Sequence, residues 1–289
     1  MTEPFKIISE HASFGGVQRF YEHPSREIGL PMRFSVFLPP QAATAGPAGK
    51  VPALLYLAGL TCNEETFMVK AGAQRRAAEL GIALIAPDTS PRGANVPGET
   101  DSWDFGVGAG FYLDATQAPW SKNYRMESWI IDELLPLVTS ALPVDDGRIG
   151  IFGHSMGGHG ALTLALRHPG RFKSVSAFAP IAAPSQCAWG EKAFSGYLGH
   201  DKANWLAHDA TALMAQQSTA PFPDGILIDQ GLGDKFLEAQ LHPHLFEAAC
   251  AQAGQALTLR RHASYDHGYY FISTFMDDHL SHHAQRLAV

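Results

Sequence analysis

Cysteine is scarce in this chain of 289 residues. Cys62, Cys187 and Cys250 are odd in number and lie far apart, so they form neither a disulfide framework nor the paired spacing of a zinc site. Charge is sparse too, at 17 % of residues, with a formal net charge of −7 and no block of one sign that could serve as a basic or acidic arm. A phosphate backbone calls for a basic surface, so this balance argues against a nucleic-acid partner. No apolar run approaches the length of a membrane span, and the start Met-Thr-Glu-Pro-Phe-Lys has no apolar stretch behind a basic head. Neither a membrane partner nor a signal peptide is expected, and the cytoplasm is the expected location. Internal repeats, low-complexity tracts and linkers are also missing, which points to one domain over residues 1–289. Apolar residues make up 46 %, an ordinary globular share. A chain this long buries well over half of its unfolded surface and needs no metal or disulfide to hold a core.

The early part of the chain reads as strands. Arg33–Leu38 partly alternates, as a half-buried antiparallel strand does. A loop rich in Pro, Ala and Gly covers 39–50. The apolar run Ala53–Leu57 then reads as a strand buried on both faces, residues 64–80 as a helix stopped by Gly81, and Ile82–Ala86 as the next buried strand. Further on come a helix near 124–140, a strand Arg148–Gly153, a helix 156–168 and a strand Ser174–Ala179. After an irregular insertion follow a strand Gly225–Asp229, a helix 241–253, a strand 256–262 and a closing helix 268–286. Strands alternating with helices predict an α/β fold: a mostly parallel twisted sheet, antiparallel at its N-terminal strands, with helices on both faces. The irregular stretch 88–122 is too long for a simple connection, and such loops usually carry function.

The strongest chemical signal is Gly153-His154-Ser155-Met156-Gly157, between an apolar strand and an Ala/Leu-rich helix. A G-x-S-x-G run has meaning in that context, because the nucleophile sits on a strained turn whose glycines let neighbouring backbone pass. The bland alternative is a glycine-rich turn whose serine only caps the helix. A serine hydroxyl needs a base, and the base needs a carboxylate to hold its tautomer. In this arrangement the acid and then the base follow the serine along the chain, on loops after later strands. Asp234 fits as the acid. Asp229 is its rival but falls at a strand end, and Asp266 stands beside the candidate base, where adjacent side chains rarely point the right way. Among 14 histidines, His267 lies just after the last strand and is the candidate base. His262 falls in that strand, while His242, His244, His279, His282 and His283 fall on or beside helices and are expected at the surface. No metal-ligand spacing appears among them. The oxyanion needs two N–H donors: Met156, directly after the nucleophile, and Leu60, in the loop Ala58-Gly59-Leu60-Thr61-Cys62 after an early buried strand.

The chain resembles the S-formylglutathione hydrolase (esterase D) family of the α/β-hydrolase superfamily over nearly its whole length. The resemblance rests on Leu57–Cys62, Asp101–Gly106 with Gly108–Thr116, Asn123–Met126, Gly153–Ala161, Trp189–Gly199 and Tyr265–Phe271. The serine turn alone would fit many esterases, whereas the Trp-Asp-Phe-Gly to Asp-Ala-Thr run and the Trp-Gly to Tyr-Leu-Gly run are far more specific. The resemblance implies a triad at Ser155, Asp234 and His267, oxyanion donors at Leu60 and Met156, a glutathione thioester substrate, no cofactor and a homodimer. It matches Cys62 to a family cysteine near the active site whose modification is expected to lower activity, and Trp189 to a tryptophan at the pocket mouth. On the residues alone, a free cysteine is more commonly a small buried residue, and the tryptophan also fits a place in the core. Ala188 replaces a frequent Pro and Gly268 a usual Ser, departures that bear on substrate preference. The rivals are a general short-chain carboxylesterase, an acyltransferase on the same residues, and a non-catalytic protein that keeps the fold.

Overall fold

The protein is described by a computed structural model over residues 4–44 and 49–287. Nine strands are present among them: β1 (Lys6–Ser13), β2 (Gly16–Pro24), β3 (Pro31–Leu38), β4 (Val51–Leu57), β5 (Ala83–Pro87), β6 (Val144–His154), β7 (Val175–Phe178), β8 (Ile226–Gly231) and β9 (Leu257–His262). They form one sheet in the order β1-β2-β3-β5-β4-β6-β7-β8-β9. β1, β2 and β3 run antiparallel to their neighbours, and β5, β4, β6, β7, β8 and β9 run parallel. Position explains composition. The central β4 is buried at all seven residues and is apolar throughout, while the edge strand β1 is mostly exposed and carries polar residues.

Helices pack around the sheet, and here the structure departs from the expected pattern in three places. The predicted helix over 64–80 is two helices, Thr66–Lys70 and Gln74–Leu80, separated around Gly72 at φ 70°; Gly81, at φ 69°, does stop the second. The loop 39–50 contains a short helix, Pro40–Thr44; its residues 45–48 lie outside the described part. The insertion between β7 and β8 holds the helices Ala188–Leu198 and Ala210–Ala215, the latter capped by Asp209, whose carboxylate accepts from Ala212 N at 2.9 Å. Among the described residues no helix is long and apolar enough to cross a membrane.

The histidines of the last helix, Tyr269–Arg286, require a correction. His279 and His283 are fully buried, not at the surface. Both face the sheet. His283 Nδ1 lies 2.6 Å from Ser174 Oγ and its Nε2 2.9 Å from Ser176 Oγ, while His279 spans Ser176 Oγ at 2.8 Å and Asp229 Oδ2 at 3.3 Å. These partners supply what water would otherwise give, so imidazoles stand in the core where surface residues were expected.

Burial disfavours the charged form of such rings. It pushes His159 down to about 3, and His208 and His282 to about 4. It also holds His154 and His283 well below the ordinary imidazole range. In the unfolded chain each would take up a proton near pH 6.5. Because the folded values are the lower ones, stability is complete above about pH 6.5 and falls as pH drops, by up to about 1.4 kcal/mol per pH unit for each ring. Thermal melts between pH 7.5 and 5 should therefore show Tm level down to about pH 6.5 and falling below it, by at least about 5 °C in total. A Tm that stays level over that range would contradict the assignment of these rings as buried and neutral.

Candidate active site

The site grows from the carboxyl ends of four parallel strands, where ligands of open α/β sheets bind. β6 ends at His154, and the helix Met156–Arg167 starts one residue after Ser155. Ser155 itself has φ 57° and ψ −117°, a backbone conformation rarely adopted by residues with a side chain. Neighbours hold it there: its N–H donates to Phe178 O at 3.0 Å, and its carbonyl accepts from His159 N at 2.9 Å and Ile181 N at 3.2 Å. The glycines on either side are sterically required. A Cβ at Gly157 would stand 1.9 Å from Leu57 O, and one at Gly153 would stand 2.2 Å from Gly157 O.

β4 delivers the second wall. The loop after it runs against the serine so closely that a Cβ on Gly59 would lie 3.3 Å from Ser155 Cβ. Thr61 N–H donates to Gly108 O at 2.9 Å and Cys62 N–H to Gly59 O at 3.3 Å. The N–H groups of Leu60 and Met156 have no hydrogen-bond acceptor among the described residues. Both flank Ser155, one in the loop and one at the first position of the helix, so both are available to an anion.

β8 and β9 contribute the acid and the imidazole. Asp234 is buried in the loop after β8, where Oδ1 accepts from Phe236 N at 2.8 Å and Oδ2 lies 2.5 Å from His267 Nδ1. Gln230 Nε2 donates to the same Oδ2 at 3.4 Å. With Nδ1 engaged, Nε2 is the nitrogen of His267 left to meet a reacting group. The rival carboxylates are occupied elsewhere. Asp229 lies within β8, fully buried, and Arg260 grips it with Nε at 2.6 Å and Nη2 at 2.5 Å. Burial alone would raise its pKa, but hydrogen bonds from His279 and Arg260 outweigh that and hold it well below the usual carboxylate range. Asp266 accepts from Gly268 N at 2.9 Å, within its own turn.

Ser155, His267, Leu60, Cys62 and Trp189 line one cavity of about 220 Å³, and Asp234 reaches it through His267. Four more lining residues, His154, Trp103, Phe236 and Tyr269, were not singled out from sequence. Phe236 and Tyr269 each stand two residues after Asp234 and His267, a spacing that could have flagged them. Trp103, 55 % exposed and set edge-on to Trp189 at 5.6 Å, was legible as part of the Trp-Asp-Phe-Gly run that carries the resemblance, not as a cavity residue. The ring of His154 lies 4.4 Å from that of His267. Burial raises the pKa of the Cys62 thiol, partly offset by hydrogen bonds with Thr66 and Tyr269, so the thiolate needed for nucleophilic attack is disfavoured at neutral pH. Among the described residues no group of three or more His, Cys, Asp or Glu could hold a metal ion.

The departures at Ala188 and Gly268 both fall at helix starts. Ala188 is the first residue of its helix, where Pro is equally at home. Gly268 precedes the last helix and leaves it without the side-chain cap that a serine would offer.

Comparison with known proteins gives the family. The Esterase family model, described as "Putative esterase", matches residues 25–282. The chain is 54 % identical over 283 residues to the S-formylglutathione hydrolase of Mus musculus, covering 98 % of each. It is 53 % identical to that of Arabidopsis thaliana, covering 99 % of each. A solved S-formylglutathione hydrolase from Agrobacterium tumefaciens superposes with a TM-score of 0.93 at 50 % identity, over 98 % of this chain and 99 % of that one. A nine-stranded, mostly parallel sheet, a serine on a strained strand-to-helix turn, and near-full-length identity above one half converge: this chain belongs to the S-formylglutathione hydrolase family of α/β-hydrolase esterases.

Proposed function

We propose that the protein is a serine thioesterase that hydrolyses S-formylglutathione to glutathione and formate, with Ser155 as nucleophile, His267 as base and Asp234 as the acid that orients it. The observation that carries the chemistry is the 2.5 Å contact between His267 Nδ1 and Asp234 in the cavity lined by Ser155. It leaves Nε2 to take the Ser155 proton as Oγ attacks the formyl carbon. The oxyanion that forms is met by the N–H groups of Leu60 and Met156. The carbon–sulfur bond then breaks, and His267 returns its proton to the departing sulfur, releasing glutathione as the thiol. Water, deprotonated by the same nitrogen, attacks the formyl-serine ester and frees formate. Nothing in this cycle calls for a cofactor. The substrate is supported by identity above 50 % to named S-formylglutathione hydrolases over nearly the whole chain. Action in the cytoplasm and as a homodimer belongs to the same reading.

A broader carboxylesterase activity on short acyl esters is favoured by one feature. The cavity wall is largely aromatic, with Trp103, Trp189 and Phe236, and accepts an apolar alcohol as readily as a thiol. The ratio of kcat/KM on S-formylglutathione to that on p-nitrophenyl acetate separates the two, and the thioester is expected to lead.

Steady-state kinetics on S-formylglutathione test the assigned roles. Ser155→Ala should lose turnover by about 10⁴-fold or more and form no acyl-enzyme. Full turnover in that variant would sink the scheme. Asp234→Asn, which keeps the shape but favours the wrong imidazole tautomer, should lower kcat by about 10³- to 10⁴-fold. An Asn variant within tenfold of the parent would remove Asp234 from the mechanism.

A further inference from the structure

We propose that Lys70 and Lys235 receive the two terminal carboxylates of the glutathione moiety, one at each end of the cavity. This inference rests on the S-formylglutathione reading and assigns the part of the substrate that the triad does not touch.

The cavity has no carboxylate, lysine or arginine in its wall. A glutathione thioester carries an acyl-sulfur on its central residue, with a carboxylate toward each end of the molecule. The protein as a whole bears a net charge of −7, so its long-range field repels such a ligand and local cations must provide the attraction. Two stand where the geometry requires. Lys70 Nζ lies 5.8 Å from the ring centroid of Tyr269, and Lys235 Nζ lies 4.9 Å from that of Phe236. Both rings line the cavity.

These rings stand on either side of His267 in one row of contacts, which continues beyond Phe236 to Trp189 at 4.7 Å. Tyr269 is 6.2 Å from His154, His154 is 4.4 Å from His267, and His267 is 5.1 Å from Phe236. His267, and with it the position of the reacting carbonyl, therefore lies between Tyr269 and Phe236 in the row, with a lysine against each of those two rings. The ligand has the same plan, its reacting sulfur in the middle and its anions outside. An extended tripeptide spans roughly 10 Å, which suits a molecule laid along such a row.

Neither lysine is committed to another partner. Both are exposed, and among the described residues neither makes an ion pair, in contrast to Lys192 with Asp104 and Lys202 with Glu191. Their aromatic neighbours restrain them near the rim through cation–π contact while leaving the ammonium groups open to solvent and to a carboxylate. Lys also suits a carboxylate that arrives and leaves with each turnover, since it acts as a point charge rather than as a rigid fork.

The test compares Lys70→Ala, Lys235→Ala, the double variant and the two Lys→Arg variants. The readout is the ratio of kcat/KM on S-formylglutathione to kcat/KM on p-nitrophenyl acetate, which has no carboxylate. Each alanine should lower that ratio about threefold and the double variant about tenfold, chiefly through KM for the thioester, as exposed ion pairs predict. Arginine should restore it, and 0.5 M NaCl should lower it in the parent more than in the double variant. Thermal melts should match the parent, because both side chains sit at the surface. If the parent hydrolyses the thioester efficiently but both alanine variants keep its ratio, the inference is overturned while the functional reading stands. Loss at one lysine alone overturns the two-ended arrangement. A parent that ignores the thioester overturns both.

Discussion

The register between β4 and β6 is the constraint on which the rest of the site depends. Leu57 pairs with Gly153 at the carboxyl ends of the two strands. That pairing brings the carbonyl of Leu57 into the space that a side chain on Gly157 would occupy, so the serine turn and the loop after β4 are built against each other. Ala58 is fixed in turn by Tyr112, whose hydroxyl donates to its carbonyl at 2.8 Å. A slip of one residue would reverse the faces of every side chain in the strand and separate Leu60 from Ser155. Positive φ at Ser155 is a local cost of order 1–3 kcal/mol, sustained because the surrounding strands over-determine the turn.

A second, polar clamp does for β8 and β9 what backbone proximity does for β4 and β6. Asp229 in β8 is held by Arg260 in β9, and both are tied to the last helix through His279 and Asp278. Those two strands carry Asp234 and His267 on the loops at their ends. The clamp is costly to break from one side, because removing a single partner leaves a buried charge without compensation. Thus one half of the site is set by steric fit and the other by a buried ion pair, and the cavity lies where they meet.

What could be read from the sequence follows this division. Ser155, with glycines two before and two after, announces its own geometry, because only a tight strand-to-helix turn needs that spacing. β4, β5 and β8 were plain from uninterrupted apolar runs. Asp234 was preferred to Asp229 for its place in the loop after β8, and to Asp266 because Asp266 adjoins His267. Burial defeated the reading elsewhere. His279 and His283 look like surface residues in a one-dimensional pattern, and only the apposed Ser174, Ser176 and Asp229 explain their inward position. The helix Ala188–Leu198 buries Trp189, Ala193, Phe194 and Tyr197 at helical spacing, yet Gly190 and Gly196 hid it. The row Tyr269, His154, His267 and Phe236 is assembled from three separate stretches of the chain, so no local window contains it.

The order of the pieces along the chain has a consequence for how the protein is made. A polypeptide leaving the ribosome presents the strand-to-helix turn of Ser155 well before β8 and β9 have been synthesised. On the proposed roles, that serine is then an ordinary alcohol, with no imidazole to deprotonate it and no carboxylate to orient one. Reactivity would arrive late and together, when β9 adds to the edge of the sheet beside β8 and carries His267 to Asp234. On those roles, an unfinished chain, or a fragment cut ahead of β9, would lack both His267 and the Arg260 that compensates buried Asp229, and would remain chemically silent toward the cell's esters and thioesters.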